Sequence, residues 1–308
     1  MNYIELQELK TFPLFRMGTN KGGFIPVQIN RRIKPHASMA SRTIGSVNEG
    51  GVAIGIEGAY DHVLKGKAGV SLRQRVPGNT WVDVNSSNQV DPEDGTDVIT
   101  TLDVTLQDVA ESALRTQLRK HQAEHGSVIL MEVSTGEVKA IANLKRNEDG
   151  TYSEAYNYAI GESAEPGSTF KLASLIALLE DGYVDLSDSV NTRNGRITYY
   201  DKTIVDSKEG GHGKISVKEV FEVSSNVGVT ELVTKFYKGK EEKFIDRIYS
   251  MKLNQPLDIS IKGEVAPYIK YPGDKLWSGI SLPMMSIGYE VKLTPLQMLT
   301  LYNAVANN

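Results

Sequence analysis

The sequence predicts an α+β fold in which helices pack around an antiparallel sheet. An amphipathic stretch over residues 103–122 has the apolar spacing of a helix. Two runs rich in β-branched residues flank the turn Ser134-Thr135-Gly136 and predict a hairpin. An apolar run over residues 172–179 then predicts a buried helix that ends at Asp181-Gly182. A helix, a hairpin and a further helix in this order are typical of α+β domains.

The composition is that of an ordinary globular protein and excludes several function classes. The 308 residues are 40% hydrophobic and 23% charged, which is enough for two domains. The net charge of −4 argues against nucleic acid as a partner, and the absence of cysteine excludes disulfides and thiolate catalysis. No apolar run approaches the roughly 18 residues of a membrane span. We expect both ends of the sequence to be cut points, since neither carries a leader or a terminating signal.

The N-terminal part predicts a separate, non-catalytic module. Residues 1–95 are rich in glycine and contain short β-like runs, which predict a small, extended, β-rich unit. The polar stretch over residues 91–97 predicts a linker. We therefore expect one domain at residues 1–95 and a second at residues 96–308.

The second domain begins with the helix and the hairpin. Asp103 is a candidate N-cap for a helix that extends to about Gln122. We expect one face of this helix to be buried, with Leu106, Val109, Ala110, Ala113, Leu114 and Leu118. The hairpin strands are expected at residues 127–133 and 137–142.

The stretch Glu165-Pro166-Gly167-Ser168-Thr169-Phe170-Lys171 carries the first chemical signal. Pro166 and Gly167 break the chain before an apolar run, which places Ser168 at a helix N-terminus, where free N–H groups favour negative charge. Lys171 lies three residues further on, on the same helix face. Burial among apolar neighbours lowers the pKa of such a lysine and leaves a neutral amine. The pair predicts a serine nucleophile with a lysine base, although an N-cap serine followed by a solvated lysine is the ordinary alternative.

A second polar motif follows about fifty residues later. Ser216-Val217-Lys218-Glu219 predicts a capping box that opens a short helix, and residues 227–236 predict the next helix. Between them lies Ser224-Ser225-Asn226, a tight loop of small polar residues that is well placed to present side chains into a cleft. Serine and asparagine also cap helices, so the position of the triplet relative to Ser168 is what makes it informative.

Further stretches match one protein family along nearly the whole chain. They include Arg42-Thr43-Ile44-Gly45, Gly55-Ile56-Glu57-Gly58-Ala59-Tyr60-Asp61, Thr100-Thr101-Leu102-Asp103, Ser286-Ile287-Gly288-Tyr289-Glu290 and Leu293-Thr294-Pro295-Leu296-Gln297. Together with the Ser168 and Ser224 motifs, they resemble the class B penicillin-binding proteins, the monofunctional D,D-transpeptidases of peptidoglycan synthesis. The Gly288-Tyr289 pair resembles the division (septal) members more than the elongation members. The resemblance implies a transpeptidase fold at residues 96–308, C-terminally truncated, after an incomplete pedestal of the dimerisation type at residues 1–95.

The resemblance implies a role for each matched residue. Ser168 would attack the carbonyl of the penultimate D-alanine of a stem peptide, and Lys171 would take its proton. Ser224 would relay a proton towards the leaving D-alanine. Asn226 would hydrogen-bond the substrate backbone and help to fix Lys171. An amine of a neighbouring stem peptide would then resolve the acyl-enzyme, and β-lactams, which resemble D-Ala-D-Ala, would trap Ser168.

The resemblance also implies partners and a location. The expected ligands are D-Ala-D-Ala stem peptides and β-lactam antibiotics, with a glycosyltransferase and division proteins as protein partners and no nucleic acid. No cofactor is expected. The location implied is the periplasmic, outer face of the bacterial cytoplasmic membrane, reached through an N-terminal anchor upstream of Met1.

One family motif is missing from these residues. The family's third motif, Lys-Thr/Ser-Gly, supplies a second oxyanion donor and a cation, and residues 1–308 contain neither Lys-Thr-Gly nor Lys-Ser-Gly. We therefore expect little transpeptidase activity from the 308-residue chain alone. Two alternatives remain open: a β-lactamase or β-lactam sensor of the same superfamily, and a non-catalytic scaffold for cell-wall assembly.

The five histidines do not predict a metal centre. His121 and His125 have the i,i+4 spacing of a ligand pair, but no third ligand is evident. Histidine is also ordinary at a helix end. We expect no metal site.

Overall fold

The computed structural model describes residues 1, 3–27, 31–48, 50–76, 80–83 and 90–307. The chain divides into two units, residues 1–37 and residues 38–308, and each is described by itself. The first unit contains helices α1 (Tyr3–Thr11) and α2 (Gly18–Gly22), with a 3₁₀ turn between them. The ring of Phe15 stacks on those of Phe12 and Phe24, which ties this short unit together.

The second unit begins with short helices and two pairs of strands. Their bounds are α3 (Ser41–Ile44), α4 (Gly55–Ala59), α5 (Asp61–Leu64), β1 (Ser46–Val47), β2 (Ala53–Ile54), β3 (Arg73–Val76) and β4 (Thr80–Asp83). Strand β1 pairs with β2, and β3 pairs with β4, both antiparallel. Strands are therefore present before residue 95, but among the described residues helices cover more of this part than strands do, so it is not the β-rich unit that the sequence predicted.

Two carboxylates join the start of this unit to the part that carries the sheet. The Ala40 N–H donates to Glu111 Oε1 at 2.8 Å. The Ser41 hydroxyl and the Arg42 N–H donate to Glu154 Oε2 at 3.0 and 2.7 Å. Burial raises the pKa of Glu154, and these two donors oppose that rise. The contacts connect residues on both sides of the domain boundary expected near residue 95, which stays a prediction.

The predicted helix and hairpin are both confirmed. Helix α6 (Val104–His121) begins after Asp103, whose carboxylate accepts the Leu106 N–H at 2.9 Å as an N-cap. Strands β5 (His125–Met131), β6 (Val138–Arg146) and β7 (Tyr152–Ser153) form an antiparallel sheet in the order β5-β6-β7. The turn between β5 and β6 places Gly136 at φ 74°, a conformation that favours glycine.

The buried face of α6 differs in part from the predicted one. Ala110, Leu114 and Leu118 are buried as expected. Leu106, Val109 and Ala113 are exposed, and the prediction was wrong for them. Gln107 is buried instead, because its amide pairs with the sheet backbone: Nε2 donates to the Ile141 carbonyl at 2.9 Å, and Oε1 accepts the Ile141 N–H at 2.8 Å. A fully paired amide is tolerated in a core that would exclude an unpaired one.

The remaining elements form the helical part of the unit. The helices are α7 (Tyr158–Gly161), α8 (Lys171–Glu180), α9 (Val217–Glu222), α10 (Asn226–Tyr237), α11 (Glu241–Ser250), α12 (Ser281–Met285) and α13 (Pro295–Asn307). The strands are β8 (Ser189–Asn191), β9 (Arg196–Tyr199), β10 (Lys202–Val205), β11 (Lys214–Ser216), β12 (Tyr268–Ile269) and β13 (Val291–Lys292). They pair as β8 with β11, β9 with β10, and β12 with β13.

Helix α8 lies in the main hydrophobic core, against α10 and α11. Its Ala173, Ala177 and Leu178 are fully buried, which confirms the predicted buried helix. Helix α10 buries Val229 and Val233 as predicted. Among the described residues, none of the helices combines the length and the apolar character that a membrane crossing requires.

Candidate active site

Ser168 lies at the entrance to the core helix α8. Residues Gly167–Phe170 form a 3₁₀ turn that continues directly into α8 at Lys171. Gly167 adopts φ 56°, and Pro166 precedes it, which gives the sharp entry that the sequence predicted. Ser168 is exposed, whereas Phe170 is fully buried and anchors the turn. Ser168 and Lys171 thus share one face of a segment with about three residues per turn.

Lys171 is buried at the start of α8 and is 1% exposed. Its Nζ donates to the Ser224 carbonyl oxygen at 2.6 Å and lies 3.0 Å from the Ser224 hydroxyl oxygen. Burial lowers the pKa of Lys171 to about 8, against the opposing charge of Asp206, which raises it. The lowered pKa raises the neutral fraction of the amine near physiological pH above that of an ordinary lysine, as a general base requires.

The turn Ser224-Ser225-Asn226 connects α9 to α10 and meets Lys171. Ser224 is exposed and has φ 54°, a left-handed conformation that is uncommon outside glycine. Ser225 is buried and caps α10, since its hydroxyl accepts the Gly228 N–H at 2.9 Å. Ser224 is therefore the residue of this turn that contacts Lys171, a contact that the sequence analysis did not predict.

Asn226 has a different partner from the expected one. Its Nδ2 donates to the Val205 carbonyl at 2.7 Å. In the described part of the chain, no hydrogen bond joins Asn226 to Lys171, and none joins the Ser168 hydroxyl to Lys171. Ser224 is the residue that holds the amine.

Sequence reasoning missed Asp206, which follows strand β10. Asp206 is 8% exposed, and its carboxylate accepts the Ser225 hydroxyl at 2.9 and 3.1 Å and the Val227 N–H at 2.9 Å. Nothing in the local sequence distinguishes Asp206 from the other acidic residues of the chain, because its partners are about twenty positions away. A residue of this kind is found only from the fold.

The segment after α12 supports the turn that carries Ser168. The Gly167 N–H donates to the Gly288 carbonyl at 3.1 Å, and the Glu290 N–H donates to Glu165 Oε1 at 2.9 Å. Gly288 adopts φ 83°, and a Cβ at this position would lie 2.1 Å from the Gly167 carbonyl oxygen. Only glycine fits this contact without displacing the chain.

His125 makes contacts that are ordinary for a histidine, and the described residues show no metal cluster. His125 lies 3.0 Å from Glu162 and stacks on the ring of Tyr158. Across the ranges that the structure describes, no group of three or more His, Cys, Asp or Glu side chains is arranged to hold a metal ion.

Comparison with known families gives one match over most of the second unit. The model of the penicillin binding protein transpeptidase domain matches residues 126–308. The peptidoglycan D,D-transpeptidase FtsI of Escherichia coli K12 is 28% identical over 90% of this chain and 46% of its own length. The probable peptidoglycan D,D-transpeptidase PenA of Neisseria gonorrhoeae is 28% identical over 90% of this chain and 48% of its own length. The chain spans about half the length of these curated relatives.

Solved structures show the same fold. Penicillin-binding protein 3 of Mycobacterium tuberculosis, in its apo form, superposes with a TM-score of 0.71 at 27% identity, over 90% of this chain and 58% of that chain. A peptidoglycan synthetase of Bifidobacterium adolescentis superposes with a TM-score of 0.74 at 22% identity, over 90% of this chain and 50% of that chain. The predicted α+β fold, with helices around an antiparallel sheet, is confirmed.

Proposed function

The chain belongs to the penicillin-binding protein transpeptidase family, and from this premise we propose that the protein is a peptidoglycan D,D-transpeptidase of the class B, septal kind. It cross-links D-Ala-D-Ala stem peptides through an acyl-serine intermediate and is a target of β-lactams. The names of the relatives support the reaction, and the name FtsI, which recurs among them, supports the septal role.

The observation that carries the proposal is the contact between Lys171 and Ser224 beside Ser168. A neutral amine has two N–H groups and one lone pair. The two acceptors on Ser224, the carbonyl oxygen at 2.6 Å and the hydroxyl oxygen at 3.0 Å, match the two N–H groups. The lone pair of Lys171 then remains for the proton of Ser168, one turn away. The arrangement suits a base that must stay both buried and neutral.

The reaction follows from this geometry. Ser168 Oγ forms a bond to the carbonyl carbon of the penultimate D-alanine, and its proton passes to Lys171 Nζ. The C–N bond to the terminal D-alanine breaks, and the proton passes through the Ser224 hydroxyl to the leaving nitrogen. An amine of a second stem peptide attacks the ester, forms the new amide and restores the Ser168 hydroxyl.

The oxyanion of this reaction needs donors at the start of α8. The backbone N–H of Ser168, in the first turn of the segment, serves as one donor, since N–H groups there have no partner within a helix. The second donor belongs to the family's third motif, which residues 1–308 do not contain. Asn226 forms a hydrogen bond to the substrate backbone, as the family resemblance implies.

The proposal extends to the setting of the reaction. Residues 1–95 form the non-catalytic pedestal, and residues 96–308 belong to the transpeptidase domain. The protein acts on the periplasmic face of the cytoplasmic membrane, held by an N-terminal anchor, with a glycosyltransferase and division proteins as partners.

Labelling with a penicillin tests the proposal. The protein expressed from its native reading frame is incubated with a fluorescent penicillin, and the adduct is located by peptide mapping. We expect one equivalent of label on Ser168, no label in Ser168→Ala, and full label in the matched control Ser163→Ala. We also expect exchange of the terminal D-alanine of a donor peptide for a labelled amine. Absence of an adduct, or an adduct elsewhere, would contradict the proposal.

A further inference from the structure

Asp206 joins strand β10 to the turn that contains Ser224. Three consecutive residues after Ser224 bind the end of β10. The Ser225 hydroxyl and the Val227 N–H donate to the Asp206 carboxylate, and Asn226 donates to the Val205 carbonyl. The Asp206 N–H donates in turn to the Gly195 carbonyl at 2.9 Å, and this bond holds the backbone that carries the carboxylate. The turn is therefore clamped immediately after Ser224.

This clamp holds a backbone conformation that needs support. Ser224 has φ 54°, which costs a serine free energy relative to ordinary backbone regions. That conformation is retained only when the surroundings over-determine it. The carboxylate of Asp206 also lies at the N-terminus of α10, where negative charge is favoured. The clamp thus keeps the Ser224 carbonyl and hydroxyl pointed at Lys171.

The charge of Asp206 has a second consequence. Burial disfavours the ammonium form of Lys171, and Asp206 is the charged group in the described part of the chain that opposes this effect. The Asp206 carboxylate contacts neither Ser168 nor the Nζ atom of Lys171. It therefore acts on Lys171 through the position of the Ser224 turn and through the electrostatic field of its charge.

We propose that Asp206 is a positioning residue of the active site, which holds Ser224 against Lys171 and supplies the negative charge that stabilises the ammonium form of Lys171 once it has taken the proton of Ser168. This inference rests on the proposed function, because its readout is the acylation of Ser168. It identifies a residue outside the Ser168 and Ser224 motifs on which the reaction depends.

The test compares acylation by a fluorescent penicillin across pH, per folded molecule, in protein from the native reading frame. Asp206→Asn keeps the size and one acceptor but removes the charge. We expect the plateau rate to fall about tenfold or more, since hydrogen bonds to a charged group are lost. We also expect the pH midpoint of acylation to move to lower pH, because the charge that favours the ammonium is gone.

Two further variants separate position from charge. Asp201→Asn removes the same charge from an exposed turn of the β9–β10 hairpin, and we expect wild-type rates from it. Asp206→Glu restores the charge, and we expect the midpoint to return towards that of the wild type. A lower plateau with an unmoved midpoint would overturn the charge half of the proposal. A plateau within about twofold of wild type with an unmoved midpoint would overturn all of it.

A fourth variant covers the case in which Asp206→Asn does not fold. Ser225→Ala breaks the clamp from the other side, and we expect it to lower the plateau rate of the folded protein. An unchanged rate in Ser225→Ala would overturn the proposal. If the wild-type protein itself is not acylated, the proposed function fails, and that outcome is distinct from equal rates in wild type and variant.

Discussion

The Nζ atom of Lys171 lies 2.6 Å from the carbonyl oxygen of Ser224, although 53 residues separate the two in the chain. The left-handed backbone of Ser224 turns both its carbonyl and its hydroxyl towards the amine. This contact joins the start of α8 to the turn before α10 and places a buried lysine one turn from an exposed serine.

Removal of the amine should abolish most of the acylation. For Lys171→Ala we expect the rate of acylation of Ser168 by a penicillin to fall by about 10² to 10⁴, the range for loss of a general base. Stopped-flow fluorescence with a labelled penicillin measures this rate. The matched control is Lys218→Ala, an exposed lysine on the neighbouring helix α9, which should keep the wild-type rate. Equal losses in the two variants would argue against a specific role for Lys171.

The contact between Gly288 and Gly167 should tolerate no side chain. For Gly288→Ala we expect the free energy of unfolding to fall by about 2 kcal/mol or more, since a Cβ meets the Gly167 carbonyl and the backbone is strained. Acylation should slow as well, because the turn that carries Ser168 must shift. Thermal denaturation and penicillin labelling measure the two effects.

Gly273→Ala is the control for that substitution. Gly273 has φ 96°, but a Cβ there would meet nothing within 4 Å. It therefore carries the backbone strain without the clash, and we expect a smaller loss of stability and a normal acylation rate. If Gly288→Ala were as stable and as active as Gly273→Ala, the close contact between Gly288 and Gly167 would matter neither for stability nor for acylation.

The lifetime of the adduct separates a transpeptidase from a hydrolase. We expect the penicillin ester on Ser168 to persist long after acylation is complete, because the proposed reaction uses an amine and not an activated water to release it. Intact-mass measurements over time, after removal of free penicillin, follow the release. Rapid release with turnover of penicillin would favour the β-lactamase alternative.

The 308-residue chain by itself should acylate slowly. Its residues include the proposed nucleophile and base but neither form of the third motif, so the second oxyanion donor that the family resemblance implies is not among them. Loss of one such donor typically costs about 10² to 10³ in rate. Incubation with a labelled β-lactam followed by intact mass measures the rate, and rapid, stoichiometric labelling would contradict this expectation.

Much of the fold was predictable because local patterns specify it. The Asp103 cap of α6, the hairpin around Gly136, and the capping box at Ser216 are all signals within a few residues, and the structure contains each of them. The proposed site residues Ser168, Lys171 and Ser224 were identified in the same way, from short motifs at the ends of helices.

The rest depends on partners that are distant in sequence. Gln107 replaces an expected apolar residue in the core because the backbone of Ile141 pairs with its amide. Asp206 enters the site only through the turn after Ser224, and Asn226 binds the Val205 carbonyl and not Lys171. Periodicity and motif spacing contain no information about such long-range pairs.

The pH dependence of Ser168 acylation in the protein from its native reading frame tests the central claim most directly. In the proposed reaction the neutral amine is the base, so the rate should rise with pH and level off above a midpoint near the Lys171 pKa of about 8. Below that midpoint, each unit of pH should cost about tenfold in rate. A rate that is flat or falls between about pH 6 and 9, or a midpoint near 10.5, the ordinary pKa of lysine, would contradict a buried Lys171 acting as the base.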